Sequence, residues 1–333
     1  MIGPSSNKIR LGGYSAKPVG RKLKTIYDVL REELPDAEIF QCDGCGISDG
    51  DFEFALSDQH HLQGIIAEKH NENFEEAIRI ASECDLVIFC GGDDTISSGE
   101  GRDRCELTLC GKQSELIKKL AGTGKPIVFA MLHGKPLAIK EESDVCNAII
   151  SSWFGGESGS QAVCDALLGK INPAGRLPFS LPRRSTMIPC YYSILPNHTE
   201  MMFEGERGPR YAFGYGLSYT EFEYSNLKIE KQGRTDYTVT FDVKNIGKVD
   251  GDEVAQLYIN DVVSSVVTPL KLLKGFERIS LKAGETKTVE LKLDFESFRL
   301  LNKDLEWVVE DGEFEIMVGS ASSNIKLKEI IRI

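Results

Sequence analysis

The sequence predicts an α/β domain built on a parallel sheet, followed by an all-β domain of immunoglobulin-like sandwich type. Three observations carry this. In the first half, apolar runs such as Asp85-Leu86-Val87-Ile88-Phe89-Cys90 and Lys125-Pro126-Ile127-Val128-Phe129-Ala130-Met131 alternate with segments of helical period. Apolar runs of this kind belong to strands covered on both faces, as in a parallel sheet between helix layers. In the second half, Tyr237-Thr238-Val239-Thr240-Phe241-Asp242-Val243 alternates with period two, and short strand-like runs recur between turn signals, as in a two-sheet sandwich. Between the halves, Pro, Gly, Tyr and Arg dominate from Arg176 to Tyr219 without periodicity. Long irregular connectors of this kind tend to be functional or interfacial.

The elements follow in chain order. Lys22 to Glu33 places Leu23, Ile26, Leu30 and Glu33 near one stripe and reads as an amphipathic helix. Ala37-Glu38-Ile39-Phe40 reads as the next strand, and Asn73 to Ser82 as a helix carrying Phe74, Ala77, Ile78 and Ile80. The strand at Asp85 ends in Gly91-Gly92, and a helix at Lys112 to Ala121 carries Leu116, Ile117 and Leu120. After the strand at Lys125 come a short helix at Pro136 to Glu142, a strand from Ala148 to Trp153-Phe154, and a helix from Ser158 to Leu168 that stops at Gly169. The β-sandwich strands are Tyr237 to Val243, Glu253 to Ile259, Thr286 to Leu293 and Phe314 to Val318, separated by turns such as Asn245-Ile246-Gly247 and Lys282-Ala283-Gly284. The expected division is residues 1–182 for the α/β domain, 183–221 for the connector and 222–333 for the β-sandwich.

Composition narrows the function classes. A chain of 333 residues suffices for two domains with real cores. A net charge of -12 argues against a nucleic-acid partner, which needs a basic face. No apolar run reaches the length of a membrane span, so no membrane partner is expected. The start, Met1-Ile2-Gly3-Pro4-Ser5, has no basic region leading into an apolar one, which sets the cytoplasm as the expected location. Of nine cysteines, Cys84, Cys90, Cys146 and Cys164 sit in apolar segments and read as reduced core residues. Cys42-Asp43-Gly44-Cys45 has the spacing of half a zinc site without a second half, so no metal or other cofactor is expected. Gly91-Gly92 lacks the rest of a dinucleotide fingerprint, and Gly155-Gly156-Glu157-Ser158-Gly159-Ser160 reads as a turn with a Ser cap or an anion site at a helix start. His60, His61, His70 and His133 show no spaced partner that would make a triad or a metal site.

The loop after the strand at Asp85 carries the candidate chemistry. Ser97-Ser98-Gly99-Glu100-Gly101-Arg102-Asp103-Arg104 lies between strand and helix, at the sheet edge where open α/β folds bind ligands. Gly99 and Gly101 bracket Glu100 and let the backbone bring one carboxylate close to a ligand. Glu100 is thus a candidate catalytic carboxylate; a solvated acidic loop is the alternative. A general acid needs a raised pKa, and a close guanidinium opposes that. Arg102 and Arg104 are therefore expected to point away from Glu100 or to pair with Asp103 and Glu106, bracing the loop.

Together these segments resemble the C-terminal half of glycoside hydrolase family 3 enzymes, the β-glucosidases, β-xylosidases and relatives. Ile2-Gly3-Pro4-Ser5-Ser6 with Leu11-Gly12-Gly13-Tyr14-Ser15 resembles the entry to the family's α/β sandwich domain, with flavodoxin-like layering. Gly99-Glu100-Gly101-x-Asp103-Arg104 with Leu107-Thr108-Leu109-x-Gly111-x-Gln113 resembles its acid/base loop. Trp153-Phe154-Gly155-Gly156-Glu157-Ser158-Gly159, Asn172-Pro173-Ala174-Gly175-Arg176-Leu177-Pro178 and Phe213-Gly214-Tyr215-Gly216-Leu217-Ser218-Tyr219-Thr220 are further blocks. Pro269-Leu270-Lys271-x-Leu273-Lys274-Gly275-Phe276 and Leu281-Lys282-Ala283-Gly284-Glu285-Thr286 resemble its fibronectin-type-III-like domain. Cys110 stands where the family usually has Pro, and the stretch between Tyr192 and Arg210 is shorter.

The resemblance implies hydrolysis of terminal β-linked sugars with retention, Glu100 serving as acid/base. It also implies a partner, because family members carry the nucleophile Asp on a (β/α)8 barrel of about 250 residues that this sequence does not contain. Met201, Met202 and Phe203 are candidate apolar contributors to a face for that barrel. The expected ligand is a β-linked oligosaccharide or glycoside. A non-catalytic carbohydrate-binding or scaffold module that keeps the fold is one alternative, and an independent phosphate-binding flavodoxin-like domain is another.

Overall fold

The computed structural model describes residues 1–16, 19–48, 72–196 and 206–333. Two compact units emerge, one formed by residues 1–171 and 182–188, the other by residues 172–181 and 189–333. Residues 172–181 thus lie with the second unit.

The first unit is an α/β layer structure. Its sheet has order β1-β2-β3, with β1 Val87–Gly92, β2 Ile127–Leu132 and β3 Ala148–Ser151. All pairs are parallel, with Phe89 opposite Phe129 and Ala130 opposite Ile150. Helices α1 (Ile26–Glu33), α2 (Phe74–Glu83), α3 (Gln113–Ala121), α4 (Lys140–Val145) and α5 (Gly159–Leu167) cover it. Side chains alternate across a strand, and both faces are apolar. Cys90, Ala130 and Leu132 join Ile26, Val29, Leu30, Val163 and Cys164 in the core under α1 and α5. Phe89 and Phe129 point to the opposite face and meet edge-on at 5.4 Å. The same face of Gly91 lies against Gln113 of α3.

Three expected elements differ. The first helix begins at Ile26, four residues later than expected, because Thr25 caps it: its Oγ1 accepts from the Asp28 N–H at 3.0 Å, while Asp28 accepts from the Thr25 N–H. That reciprocal box fixes the start more firmly than helical period does. The expected strand at Ala37–Phe40 is not formed. Instead Ile2 bridges Phe89 on one side and Cys42 on the other, through bonds such as Ile2 N–H to Ile88 O at 2.9 Å and Cys42 N–H to Met1 O at 3.1 Å. The helix expected from Pro136 begins at Lys140, because the Ala138 N–H is drawn out of the helical pattern to Leu107 O at 2.8 Å. Of the four core cysteines expected, Cys90 and Cys164 are buried and Cys84 and Cys146 half-buried. Burial pushes the thiols of Cys90, Cys146 and Cys164 up to about 12, as suits inert core residues.

The second unit is a two-sheet antiparallel sandwich. One sheet pairs β4 (Phe222–Lys231), β5 (Tyr237–Asn245) and β8 (Thr286–Leu293) in the order β4-β5-β8. The other is β12-β11-β6-β7, from β6 (Gly251–Asp261), β7 (Leu272–Leu281), β11 (Glu313–Ala321) and β12 (Asn324–Arg332). A one-turn helix α6 (Phe295–Phe298) and a small ladder of β9 (Leu300–Leu301) with β10 (Trp307–Val308) link β8 to β11. Alternate residues Val239, Phe241, Val243, Leu257, Ile259, Ile316 and Val318 fill the space between the sheets. The fold class expected from the sequence is the fold observed.

The connector is irregular because its order comes from tertiary bonds. Leu177 donates to Tyr215 O at 2.9 Å and Gly214 to Leu177 O at 2.8 Å. Asn172 accepts from the Tyr219 N–H at 2.8 Å and donates to Asp250 O at 3.0 Å. Arg176 pairs with buried Glu253 of β6 at 2.9 Å. Met201, Met202 and Phe203 lie outside the described residues, as do His60, His61 and His70.

One glycine closes the sheet edge. Gly92 ends β1 at φ +128°, and a Cβ there would stand 1.9 Å from Leu132 O of β2. Gly92→Ala should therefore lower stability by more than about 3 kcal/mol, since it adds strain to a backbone clash. Gly101→Ala, at φ +65° with open space around it, should cost only about 1 kcal/mol. Thermal unfolding of the two variants checks the contrast, and equal melting temperatures would contradict it.

Candidate active site

The site grows from the end of β1. After Gly92 the chain passes Asp93, whose N–H donates to Leu132 O at 2.7 Å. The Asp93 carboxylate is buried. Oδ1 accepts from Ser97 Oγ at 2.9 Å, and Oδ2 from the Gly134 N–H at 3.2 Å. Lys135 Nζ stands 3.8 Å and Arg104 Nη1 4.0 Å from Oδ1. A buried carboxylate is tolerable only with such compensation. Lys135 also donates to Ser97 O, which ties the loop after β1 to the loop after β2.

A tight turn then lifts the chain. Asp94 Oδ1 accepts from the N–H groups of Ile96 at 2.9 Å and Ser97 at 2.8 Å, an Asx turn. Gly99 follows at φ +151° and Gly101 at φ +65°. Between them Glu100 stands exposed. Two left-handed glycines around a single residue project that side chain out from the turn. Downstream, Gln113 holds the loop's return: its Oε1 accepts from the Gly92 N–H at 2.8 Å, and its Nε2 donates to Gly92 O and Cys110 O, both at 3.0 Å.

The charged residues beside Glu100 are occupied elsewhere. Arg102 Nε donates to Thr95 O at 3.4 Å. Arg104 turns away from Glu100, the first of the two arrangements expected; its partner is Asp93 and not Asp103 or Glu106, because the buried carboxylate is the stronger attraction in a drier setting. Its Nη1 is buried without a hydrogen-bond partner among the described residues. Asp103 and Glu106 are exposed. The residue that does meet Glu100 is Tyr14, whose hydroxyl donates to Glu100 Oε2. That bond, foremost, raises the Tyr14 phenol above its ordinary value.

A second polar group lies at the same sheet edge. His133, after β2, is fully buried. Its Nδ1 is 2.8 Å from Lys135 O and its Nε2 is 2.8 Å from Ser151 Oγ, with the Trp153 ring at 4.6 Å. The carbonyl can only accept, so Nδ1–H donates to it; burial favours the neutral ring, in which Nε2 accepts from Ser151 Oγ. Burial lowers its pKa. Trp153 itself sits at φ +55°, rare for an aromatic residue. The sequence did not reveal Ser151 as the partner of His133, nor Asp93, Lys135 and Tyr14 as neighbours of the Glu100 loop. The one local signal was the Asp93-Asp94 pair closing an apolar strand.

Neither Cys42 nor Cys45 is in a disulfide, and no group of three or more His, Cys, Asp or Glu able to hold a metal ion occurs among the described residues. A hollow of ≈ 360 Å³ is lined by Glu72, Asn73, Phe74, Glu75, Lys112, Glu115 and Lys119. Its charges pair internally, Lys112 with Glu72 and Lys119 with Glu115. Glu100 does not line it.

Comparison with known proteins places this geometry in context. The profile of the Glycosyl hydrolase family 3 C-terminal domain matches residues 1–219, and that of the Fibronectin type III-like domain matches residues 253–322. The chain is 36% identical to a beta-xylosidase of Formosa agariphila over 99% of its own length and 45% of that protein's. It is 34% identical to a periplasmic beta-glucosidase of Salmonella typhimurium, over 98% and 45%. Among solved structures, a β-glucosidase from Erythrobacter marinus aligns with TM-score 0.86 at 31% identity, over 99% of this chain and 46% of that one. A beta-glucosidase from Listeria innocua in complex with glucose aligns with TM-score 0.84 at 27% identity, over 99% and 45%. The chain spans about half the length of the curated relatives it matches.

Two outcomes follow from the polar edge. Asp93→Asn removes the charge that balances Lys135 and Arg104 and should destabilise the first unit by about 3 kcal/mol, read by denaturant unfolding; an unchanged midpoint would contradict this. For His133 the folded pKa lies below the ordinary value of 6.5. Above 6.5 both states are neutral and the stability is whole. Below it the unfolded chain takes up a proton that the buried ring refuses, so stability falls as pH drops toward the folded value. Melting temperatures at about pH 7.5 and about pH 5.5 should differ more for the native chain than for His133→Gln. Equal differences would show that His133 does not contribute.

Proposed function

Because this chain belongs to glycoside hydrolase family 3, we propose that it is the C-terminal part of a retaining β-glycosidase of β-glucosidase or β-xylosidase type, with Glu100 as acid/base. The observation that carries the reading is the loop: one carboxylate projected between two left-handed glycines at the C-terminal edge of a parallel sheet, met by a phenol, with Arg102 and Arg104 engaged elsewhere.

The chemistry needs two carboxylates roughly 5 Å apart. The second, an Asp nucleophile, is supplied by a (β/α)8 barrel, as a partner subunit or a further domain. In the first step the nucleophile attacks the anomeric carbon while the Glu100 carboxyl gives its proton to the departing glycosidic oxygen. In the second, the Glu100 carboxylate takes a proton from water as that water attacks the anomeric carbon and releases the nucleophile. Configuration is retained by two inversions. No cofactor enters either step. The substrate is a terminal β-linked sugar.

A second reading has one observation in its favour: Glu100 stands exposed on the surface and does not line the hollow beside α2 and α3. A non-catalytic carbohydrate-binding or scaffold module would keep the fold without needing Glu100 at a pocket. Catalytic tests separate the two.

The chain alone should not hydrolyse aryl β-glucosides or β-xylosides, since a lone carboxylate lacks nucleophile and sugar pocket; turnover free of contaminating glycosidase would overturn this. Joined to a family barrel, Glu100→Gln should lower turnover of substrates with poor leaving groups by about 10²- to 10⁴-fold. Activated aryl glycosides should lose less in the first step, and azide should restore the second. Glu106→Gln and Glu157→Gln should change little. Equal losses on all substrates with no azide rescue would mean that Glu100 holds the loop or the sugar instead.

A further inference from the structure

We propose that Tyr14 is a positioning residue for Glu100: its hydroxyl claims one carboxylate oxygen and leaves the other to exchange the proton. The inference rests on the acid/base reading above.

The contact joins residues 86 positions apart and lies on the exposed surface. Tyr14 is 80% exposed, so its ring has little packing to hold it. What fixes it is the segment that carries it. Arg10 ties the start of that segment down, with Nε donating to Ser5 Oγ at 3.1 Å and Nη2 to Pro4 O at 3.0 Å. Gly12, at φ +86°, lies against Phe154; a Cβ there would come within 3.1 Å of the ring. Ser15 Oγ donates to Leu11 O and closes the turn around Tyr14. Pro4, Ser5 and Phe154 belong to the segments beside β1 and β3, so the tyrosine is braced from the sheet edge that also bears Glu100.

A projected Glu on a turn of glycines is free to rotate, and either oxygen could face a substrate. The phenol removes that ambiguity. As donor to Oε2 it can stay in place through both half-reactions, since Oε2 accepts whether or not Oε1 carries a proton, more strongly when the group is a carboxylate. Proton transfer then belongs to Oε1. Misplacement of a catalytic group by about 1 Å can cost on the order of a hundredfold. Tyr14 does not touch the reacting atoms, so its loss acts only through Glu100.

That last point gives the test. The phenolate absorbance of the native chain minus that of Tyr14→Phe isolates one titration among ten tyrosines. The same difference is taken in the Glu100→Gln background. The midpoint of Tyr14 should be higher with Glu100 present, because the carboxylate holds the phenolic proton and repels the phenolate. Identical midpoints would overturn the contact. In the chain joined to a barrel, Tyr14→Phe should lower kcat on unactivated β-glycosides by about tenfold to a hundredfold with KM little changed. In the Glu100→Gln background the same substitution should add no further loss to azide-rescued turnover, because coupled residues do not add. An equal loss in both backgrounds would overturn the positioning role. If Glu100→Gln kept full activity, the acid/base reading would fall, and the titration would still judge the contact separately.

Discussion

The site depends on one buried carboxylate. Asp93 follows β1 where the sheet gives way to loops, and it is held by a serine hydroxyl, a backbone N–H and two cations. The partners come from three stretches of chain: Ser97 on the Glu100 loop, Arg104 on its far side, and Gly134 with Lys135 after the next strand. A charge taken out of water must be compensated, and the compensation here fixes the loops to one another. Gly92 permits the geometry, because any side chain there would collide with Leu132 O. The Glu100 loop is thus anchored at its base by charge and released at its tip by glycine.

This division of labour explains why the arginines beside Glu100 do not hold it. Guanidinium groups next to an acid oppose the protonated form that donation requires. Arg104 is drawn to Asp93 and Arg102 to a backbone carbonyl. The base of the loop uses charge where water is scarce. The tip carries a lone carboxylate met by a neutral phenol. Anchored base and projecting tip suit a group that completes a site whose other half comes from elsewhere, consistent with a chain that spans about half of its relatives.

Much of the fold was legible because apolar runs and period-two runs are local. β1 and β2 announce burial on both faces, and β5 announces a sandwich strand. The misplaced boundaries had chemical causes: the Thr25 box started α1 late, and the bond from the Ala138 N–H to Leu107 O delayed α4. The edge bridges of Ile2 could not be read, because Ile2, Cys42 and Phe89 are distant in sequence and no period marks a single-residue bridge. The site divides in the same way. Gly99-Glu100-Gly101 after an apolar strand is a local signal. Tyr14 on Glu100, Lys135 on Asp93 and Ser151 on His133 are contacts between loops, set by how the strands bring their ends together. The connector likewise lacks periodicity because its order comes from bonds such as Arg176 to Glu253.

The role proposed for Glu100 is the acid/base position of a sugar site completed by a barrel. The most direct measurement is affinity labelling of the chain joined to a family barrel, using a bromoacetyl β-glycosylamine whose electrophilic carbon sits near the place of the glycosidic oxygen. Peptide mass spectrometry should find the label as an ester on Glu100, with free sugar protecting the site. Sugar-protected labelling of a different carboxylate, with Glu100 untouched, would contradict the account.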